Sequence, residues 1–256
     1  WCHRFGLAYT GHLCGDEGPT RTSIKNFGTP MPYLLIEDIP AIDDYLCELH
    51  DHDYLRTPIN GPDNRILNLD PDKRFTLFIY KCASSISNQF KDGLLSAEDI
   101  TYLGWDIQPG FLNTQMLFEL GMGVNLMTPH AYYYTIGDKT KYDCPPSYFT
   151  QQPLYPIFGK RCATWTHLAE LLTRGKYHAD CLVIYPDNIL ASENGEDMGN
   201  NFRPHTPRAG ISPDDFDLQF SMLLMELTRR HIGYDLGDET ILCTQGIIHS
   251  GVMNVG

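Results

Sequence analysis

Residues 93–98, Gly-Leu-Leu-Ser-Ala-Glu, decide how this sequence is interpreted, because they predict a short buried strand with an acid, Glu98, at its carboxyl end. A brief apolar run bounded by glycine is typical of a strand that is buried on both faces. Residues 123–130 (Gly-Val-Asn-Leu-Met-Thr-Pro-His) predict a second such strand, which also ends in polar side chains. Residues 180–186 (Asp-Cys-Leu-Val-Ile-Tyr-Pro) predict the clearest strand of the chain, closed by a proline.

Segments with helical spacing of apolar residues alternate with these strands. We predict helices over residues 39–50, 75–90, 112–120, 155–174 and 216–231. We also predict a short buried strand over residues 5–9, and strand and turn structure over residues 233–235 and 241–248. Alternation of strands with helices indicates an α/β fold with a parallel sheet.

A domain boundary is predicted near Lys176. Before it, the strands are short and end in polar residues, as in a (β/α)8 TIM-type barrel, whose active site lies at the carboxyl ends of its strands. After it, the order of strand, loop, long helix and strand predicts the start of a doubly wound α/β domain. We therefore expect residues 1–176 to form the last strands of a catalytic barrel and residues 177–256 to begin a second domain. A whole barrel takes about 250 residues, and the sequence starts at Trp1, so we expect a piece of a longer chain.

The amino-acid composition limits the classes of binding partner that we expect. The formal net charge of −13 over 256 residues disfavours nucleic acid and anionic membrane surfaces but permits neutral ligands such as sugars. No apolar run has the length of a membrane span. The sequence contains neither a Walker loop nor a dinucleotide fingerprint, and its eight cysteines form no C-x-x-C pair, so we expect no cofactor and no metal. We expect most of these cysteines to be small buried thiols, which slightly favours a reducing, cytoplasmic compartment without excluding export.

Glu98 is the leading catalytic candidate. Cleavage of a glycosidic bond needs two carboxyl groups, one to protonate the leaving oxygen and one to attack the sugar or activate water. Glu98 closes a predicted strand and precedes an aromatic loop that contains Trp105, and aromatic rings suit the apolar face of a sugar. The alternative is that Glu98 is an acid at a helix amino terminus, stabilised by the helix dipole.

The second carboxyl group is predicted in residues 12–17, His-Leu-Cys-Gly-Asp-Glu, which follow the first predicted strand. Asp16 and Glu17 both qualify, and adjacent side chains of an extended segment point to opposite sides, so the two residues compete for one role. The alternative is that both belong to a solvated acidic loop.

Polar and aromatic residues at the predicted strand ends are candidates for substrate binding. His12, Asn125 and His130 could donate hydrogen bonds to sugar hydroxyl groups or accept them, and Tyr134 could line the cleft. The alternatives are structural histidines and tyrosines that pack beneath a loop.

At these residues the chain resembles large bacterial glycoside hydrolases related to the α-L-rhamnosidase-like family, which has a (β/α)8 catalytic barrel. The resemblance is carried by residues 6–12, 40–43, 81–85, 95–98 with 104–105, 121–125 with 130 and 134, and 141–147 with 151–153. The strand at residues 180–186 looks like the entry to the flavodoxin-like or amidotransferase-like domain that follows the barrel in those enzymes.

The resemblance implies cleavage of a terminal sugar, such as a rhamnoside, galactoside or uronide, with Glu98 at the matching late-strand glutamate. Two departures affect this interpretation. Asp16 and Glu17 compete where the family has one glutamate, and Leu154-Tyr155 replaces a tryptophan-rich stretch. The alternative function is a non-catalytic carbohydrate-binding or degenerate barrel module.

Overall fold

Helices and parallel strands alternate along the part of the chain that the computed structural model describes, which is residues 1–13, 28–43, 76–100, 103–141, 145–186, 188, 213–250 and 252–255. The strands of these residues, β1 to β7, are Ala41–Asp43, Ser96–Asp99, Leu126–Pro129, Cys181–Tyr185, Tyr234–Asp238, Gly246–His249 and Val252–Val255. The α-helices, α1 to α6, are Met31–Ile36, Thr76–Phe90, Pro109–Gly121, Tyr155–Thr173, Pro213–Arg229 and Glu239–Gln245. Within these residues no helix is long and apolar enough to cross a membrane.

Three sheets are formed by these strands. The first contains β1, β2 and β3 in that order, and both of its strand pairs are parallel. The second contains the parallel pair β4 and β5, and the third is the antiparallel hairpin of β6 and β7. The predicted α/β class with parallel sheets is therefore confirmed. Closure of the first sheet into a barrel stays a prediction.

Helix α2 lies at the centre of the larger hydrophobic cluster. Phe78, Cys82 and Ile86 follow one another at helical spacing and are all buried, so they give the helix a continuous apolar face. The rest of the buried cluster comes from both parallel sheets and their helices, and includes Ile42, Leu95, Ala97, Val124, Tyr185, Phe220, Leu224, Leu236 and Ile241. Residues on both sides of Lys176 thus share this core.

Polar side chains of α2 also complete the edge of β5. Ser85 Oγ accepts a 2.7 Å hydrogen bond from the Leu236 N–H, and Gln89 donates to the Leu236 carbonyl at 3.0 Å. Buried Lys81 lies 3.6 Å from the carboxylate of buried Asp235, and Asn88 donates to the same oxygen at 3.0 Å. An open strand edge must have its backbone groups paired or covered, and here a helix surface supplies the partners.

A second buried cluster fixes the segment that follows β2. Ile100 and Leu103 pack in it with Tyr148 and with Phe158 and Trp165 of α4. The Tyr148 hydroxyl donates a 2.7 Å hydrogen bond to the Ile100 carbonyl. Ile100 has φ of +51°, a conformation that is rare and costly for a β-branched residue and that persists only where the surrounding structure imposes it. The chain therefore turns sharply just after Glu98 and Asp99.

Two predictions for the first forty-three residues are wrong. Residues 5–9 are not a buried strand, because His3–Phe5 form a 3-10 turn and Leu7 and Tyr9 are exposed. The N–H groups of Phe5, Gly6 and Leu7 donate to nearby carbonyls of the 3-10 turn, and the Tyr9 carbonyl accepts the N–H groups of residues 38 and 39. None of the described strands pairs with this segment. Residues 41–43 are strand β1 where a helix was predicted, because pairing with β2 buries Ile42. Residues 44–50 lie outside the described part of the chain.

Two further predictions need correction. Residues 239–245 are helix α6, which begins where the Asp238 carboxylate accepts the Ile241 N–H at 2.8 Å; strand and turn structure was predicted from residue 241. Cys82 is buried as expected, but Cys181 and Cys243 are exposed. Cys181 lies on β4, which pairs with β5 alone among the strands of the described residues.

Candidate active site

Two acids face each other at the carboxyl ends of adjacent strands. Asp43 of β1 and Glu98 of β2 are Cα partners in the parallel register. Strand neighbours in register point their side chains to the same face of a sheet and are separated by only about 5 Å. The sheet itself therefore brings two carboxylates, fifty-five positions apart in the sequence, to one place.

The imidazole of His12 lies between these two acids. Its Nε2 atom is 3.1 Å from Glu98 Oε2, and its Nδ1 atom is 3.8 Å from Asp43 Oδ2. The first distance is within hydrogen-bonding reach, whereas the second is that of an ion pair. One histidine thus connects the carboxylates of two neighbouring strands.

His130 approaches Glu98 from the other side. It directly follows β3, and its Nε2 atom lies 3.8 Å from Glu98 Oε1. Its backbone N–H donates a 3.0 Å hydrogen bond to the Asp99 carbonyl, and the Tyr133 ring packs edge-on against its imidazole. Backbone and ring contacts together hold this side chain next to the acid.

The four side chains are half-buried. Between 23% and 36% of each is exposed, so the group is open to solvent but supported by its surroundings. We refer to His12, Asp43, Glu98 and His130 as the carboxylate–histidine cluster. Among the residues that the structure describes, no group of three or more His, Cys, Asp or Glu side chains is arranged to hold a metal ion.

The segment before His12 is anchored on the loop that leads into β1. Thr10 donates to the Ile39 carbonyl at 2.8 Å, and the Tyr9 N–H donates to the Asp38 carboxylate at 2.6 Å. His3 Nε2 contacts the same carboxylate at 2.7 Å. The Tyr9 N–H, and then His3, hold the pKa of Asp38 below its ordinary value. These contacts place His12 over the end of the sheet.

Glu37 is buried beneath this segment. Its Oε2 atom accepts the Ala41 N–H at 2.9 Å, where β1 begins, and an added Cβ on Gly11 would lie 3.9 Å from its Oε1 atom. Burial raises the pKa of Glu37 to about 7, against the lowering effects of the Ala41 N–H and the Lys91 charge. A carboxyl group that titrates near neutral pH therefore lies between the strand that carries Asp43 and the segment that carries His12.

The other residues predicted for the site lie outside this cluster. Asn125 precedes β3, at the opposite end of the sheet, and its amide group is engaged with the Leu95 N–H at 3.1 Å and the Gly93 carbonyl at 2.7 Å. It serves to join the starts of two strands, so its predicted role at a carboxyl end is corrected. Asp16 and Glu17 lie outside the described residues.

Trp105 and Tyr134 follow β2 and β3 on the same side of the sheet as the cluster. The Trp105 Nε1–H donates a 2.7 Å hydrogen bond to the Lys141 carbonyl, which ties together the loops that follow the two strands. Tyr134 is 98% exposed, and its ring is free to meet a ligand. Tyr132, by contrast, packs edge-on against Phe149 and Phe158.

Asp43 is the member of the cluster that the sequence reasoning missed. It ends the stretch Pro40-Ala41-Ile42-Asp43, which has the same form as residues 95–98, a short apolar run followed by an acid. That similarity could have identified Asp43 as a strand-end acid from the sequence. It was obscured by the helical spacing of apolar residues over 39–50.

Comparison with solved structures finds similarity at the level of the fold. The rhamnosidase from Novosphingobium sp. PP1Y superposes on this chain with a TM-score of 0.54 and 15% sequence identity. The match covers 99% of this chain but 20% of that protein, so the chain spans about a fifth of the length of its structural neighbour. No protein-family model and no curated protein matches the sequence. The chain therefore shares the fold of a segment of a rhamnosidase.

Proposed function

We propose that this chain carries the active site of a glycoside hydrolase, with Glu98 and Asp43 as its paired carboxylates. The observation that carries the proposal is the register of β1 and β2, which places the two acids opposite each other at the carboxyl ends of parallel strands. Ligands bind at this end of the strands in α/β folds. The fold shared with a segment of a rhamnosidase supports the same class of reaction.

The chemistry follows from the positions of the two acids. A glycosidic oxygen held between them would receive a proton from one carboxyl group as the bond to the anomeric carbon breaks. The other carboxylate would take a proton from the attacking water, or form a bond to the anomeric carbon that water later hydrolyses. His12 and His130 approach Glu98 on two sides and would orient its carboxylate in either of these two mechanisms. Trp105 and Tyr134 would contact the sugar from the adjoining loops.

A terminal sugar is the proposed substrate, and a rhamnoside is the first to test because the structural neighbour is a rhamnosidase. Galactosides and uronides follow from the resemblance of the sequence to the wider group. The partner of this protein is thus proposed to be a carbohydrate.

The test is a panel of aryl glycosides assayed with the full chain and with Glu98→Gln. We expect hydrolysis of at least one member, and a loss of roughly 10²–10⁴-fold in kcat for the variant. The amide keeps the size of the side chain but can neither take up a proton nor attack, so sugar binding should change little. Nuclear magnetic resonance of the added sugar would measure that binding.

The matched control is Glu226→Gln. Glu226 is an exposed residue of α5 that lies outside the carboxylate–histidine cluster and pairs with Arg230 at 2.6 Å. We expect this variant to keep full activity. Sugar binding without turnover in the unmodified chain would contradict the hydrolase and support a carbohydrate-binding module. If the unmodified chain neither hydrolyses nor binds any of the terminal sugars, both the hydrolase and the carbohydrate-binding module are contradicted.

A further inference from the structure

A buried carboxyl group lies beneath residues 9–12, which we call the His12 segment. Glu37 directly follows α1, and only 4% of it is exposed. Its Oε2 atom accepts the Ala41 N–H at 2.9 Å, where β1 begins. Its Oε1 atom lies towards Gly11, where an added Cβ would be 3.9 Å away. Glu37 is therefore enclosed by β1 on one side and by the His12 segment on the other.

The His12 segment is held to the loop before β1 by a few hydrogen bonds. The Tyr9 carbonyl accepts the N–H groups of Asp38 and Ile39 at 2.9 and 3.3 Å, and Thr10 donates to the Ile39 carbonyl at 2.8 Å. Tyr9 and Thr10 are exposed, and none of the described strands pairs with them. A surface segment with so few contacts can open locally while the sheet beneath it stays folded.

The charge state of Glu37 affects these two sides differently. A buried carboxylate is costly, whereas a neutral carboxyl group is tolerated, and burial raises the pKa of Glu37 to about 7. Near neutral pH the ionised form therefore favours any conformation in which water reaches the side chain. Strand β1 is fixed by its pairing with β2, so the His12 segment is the side that can move.

We propose that Glu37 is a positioning residue of the candidate site. As a neutral acid it allows the His12 segment to dock on the start of β1, and its ionisation weakens that docking and with it the contact of His12 with Glu98. The inference rests on the proposed function only in the role that it gives to the site, because the docking itself involves no substrate.

Other charged groups lie close to Glu37. The charge of Lys91, just after α2, lowers the pKa of Glu37 and so opposes the effect of burial. Asp38 accepts a hydrogen bond from a backbone N–H of the His12 segment and pairs with His3 at 2.7 Å, and both contacts hold its pKa below the ordinary value. Asp38 therefore stays ionised near neutral pH. His3 and His12 can each exchange a proton in this range, so both need control variants.

The test is amide hydrogen exchange of Asp38 and Ile39 in the full chain, because their N–H groups donate to the Tyr9 carbonyl only while the segment is docked. After correction for the intrinsic effect of pH, we expect their protection to fall by about three- to tenfold between pH 6 and pH 8. Tenfold is about the limit set by linkage if the pKa of Glu37 returns from about 7 to its ordinary 4.5 on release. A smaller fall would overturn the proposal.

The carboxyl carbon resonance of Glu37 gives a direct readout in the unmodified chain. We expect its titration to coincide with the change in amide protection. A carboxyl group that has finished titrating below pH 6 would overturn the proposal even if the protection of the two amides changed.

Three variants separate Glu37 from its neighbours. Glu37→Gln can still accept the Ala41 N–H but carries no charge, so the pH dependence of protection should disappear. His3→Gln and His12→Gln should keep it. Loss of the pH dependence in either histidine variant, or its persistence in Glu37→Gln, would contradict the role of Glu37.

Two controls complete the experiment. Thr10→Val removes one hydrogen bond of the segment, so protection should fall by the same factor, about threefold to tenfold, at both pH values. Glu226→Gln makes the same chemical change at an exposed glutamate of α5 and should leave protection as in the unmodified chain. The exchange measurement needs no turnover. A silent glycoside panel would therefore count against the hydrolase, and exchange alone would decide the role of Glu37.

Discussion

Asp43 and Glu98 occupy the same level of two neighbouring parallel strands, and the ring of His12 lies between their carboxylates. Their separation is set by the hydrogen bonds between β1 and β2, which α2 supports from beneath through buried Phe78 and Ile86. The distance between the two acids therefore depends on the pairing of β1 with β2.

Under the proposed function the two acids act on one bond, so their contributions to turnover should not multiply. Each single variant, Asp43→Asn or Glu98→Gln, is expected to lose roughly 10²–10⁴-fold in kcat with an unactivated glycoside. The double variant should lie within about tenfold of the slower single variant, since groups that act as a unit are non-additive. Steady-state kinetics measures all three. Asp92→Asn, at an exposed residue, is the control, and fully multiplied losses would show that the acids act independently.

Removal of the buried cation at position 81 should destabilise the fold strongly. Burial is the main effect on both partners of the ion pair, since it lowers the pKa of Lys81 and raises the pKa of Asp235. Lys81→Met would leave the Asp235 carboxylate buried without its cation, which costs about 3–5 kcal/mol in the free energy of unfolding. Urea denaturation measures this change.

Two comparisons check this interpretation of Lys81. The double variant Lys81→Met with Asp235→Asn should recover part of the lost free energy, because no charge is then left unpaired. Arg230→Gln breaks an exposed pair with Glu226 and should change the free energy of unfolding by less than about 1 kcal/mol. A loss in Lys81→Met as small as that in Arg230→Gln would contradict the prediction.

Ionisation of Glu37 should lower the free energy of unfolding as the pH rises from about 4.5 to about 7. The pKa of this acid is raised in the folded state, so between these values the folded chain binds more protons than the unfolded chain. The free energy of unfolding therefore falls as the pH increases through this window, and the contribution is on the order of 2–3 kcal/mol. Denaturation curves at pH 5 and pH 8 measure the change.

Glu37→Gln is the variant that isolates this effect, because an amide oxygen can still accept the Ala41 N–H but carries no charge. Relative to the unmodified chain, the variant should gain stability at pH 8 and little at pH 5. A difference between the two proteins that is the same at both pH values would show that Glu37 does not titrate in this range.

Two glycine substitutions should have opposite effects on stability. A Cβ on Gly233 would lie 2.5 Å from the His178 carbonyl oxygen, so Gly233→Ala forces backbone to move and should cost roughly 2 kcal/mol or more. Gly159 lies in α4 with nothing within 4 Å of an added Cβ, so Gly159→Ala should stabilise by about 0.5–1 kcal/mol. Thermal unfolding compares both variants with the parent chain. Equal effects of the two substitutions would contradict the close approach at Gly233.

The sequence alone determined the elements whose apolar pattern is strong and local. Helices α2 to α5 were predicted from the spacing of their apolar residues, and β2 and β4 from short apolar runs. Glu98 followed directly, because an acid that ends a buried strand can be recognised without knowledge of its neighbours. Weak or mixed patterns failed, as at β1, where the spacing over residues 39–50 indicated a helix.

Only the tertiary structure decided which side chains meet. Strand register placed Asp43 opposite Glu98, and it put Asn125 at the far end of the same sheet, where its amide group joins two strand starts. The packing of α2 against β5 paired Lys81 with Asp235, although the two residues are far apart in the sequence. Register and packing depend on hydrogen bonds and contacts between residues distant in sequence, and a local pattern of polar and apolar residues does not contain that information.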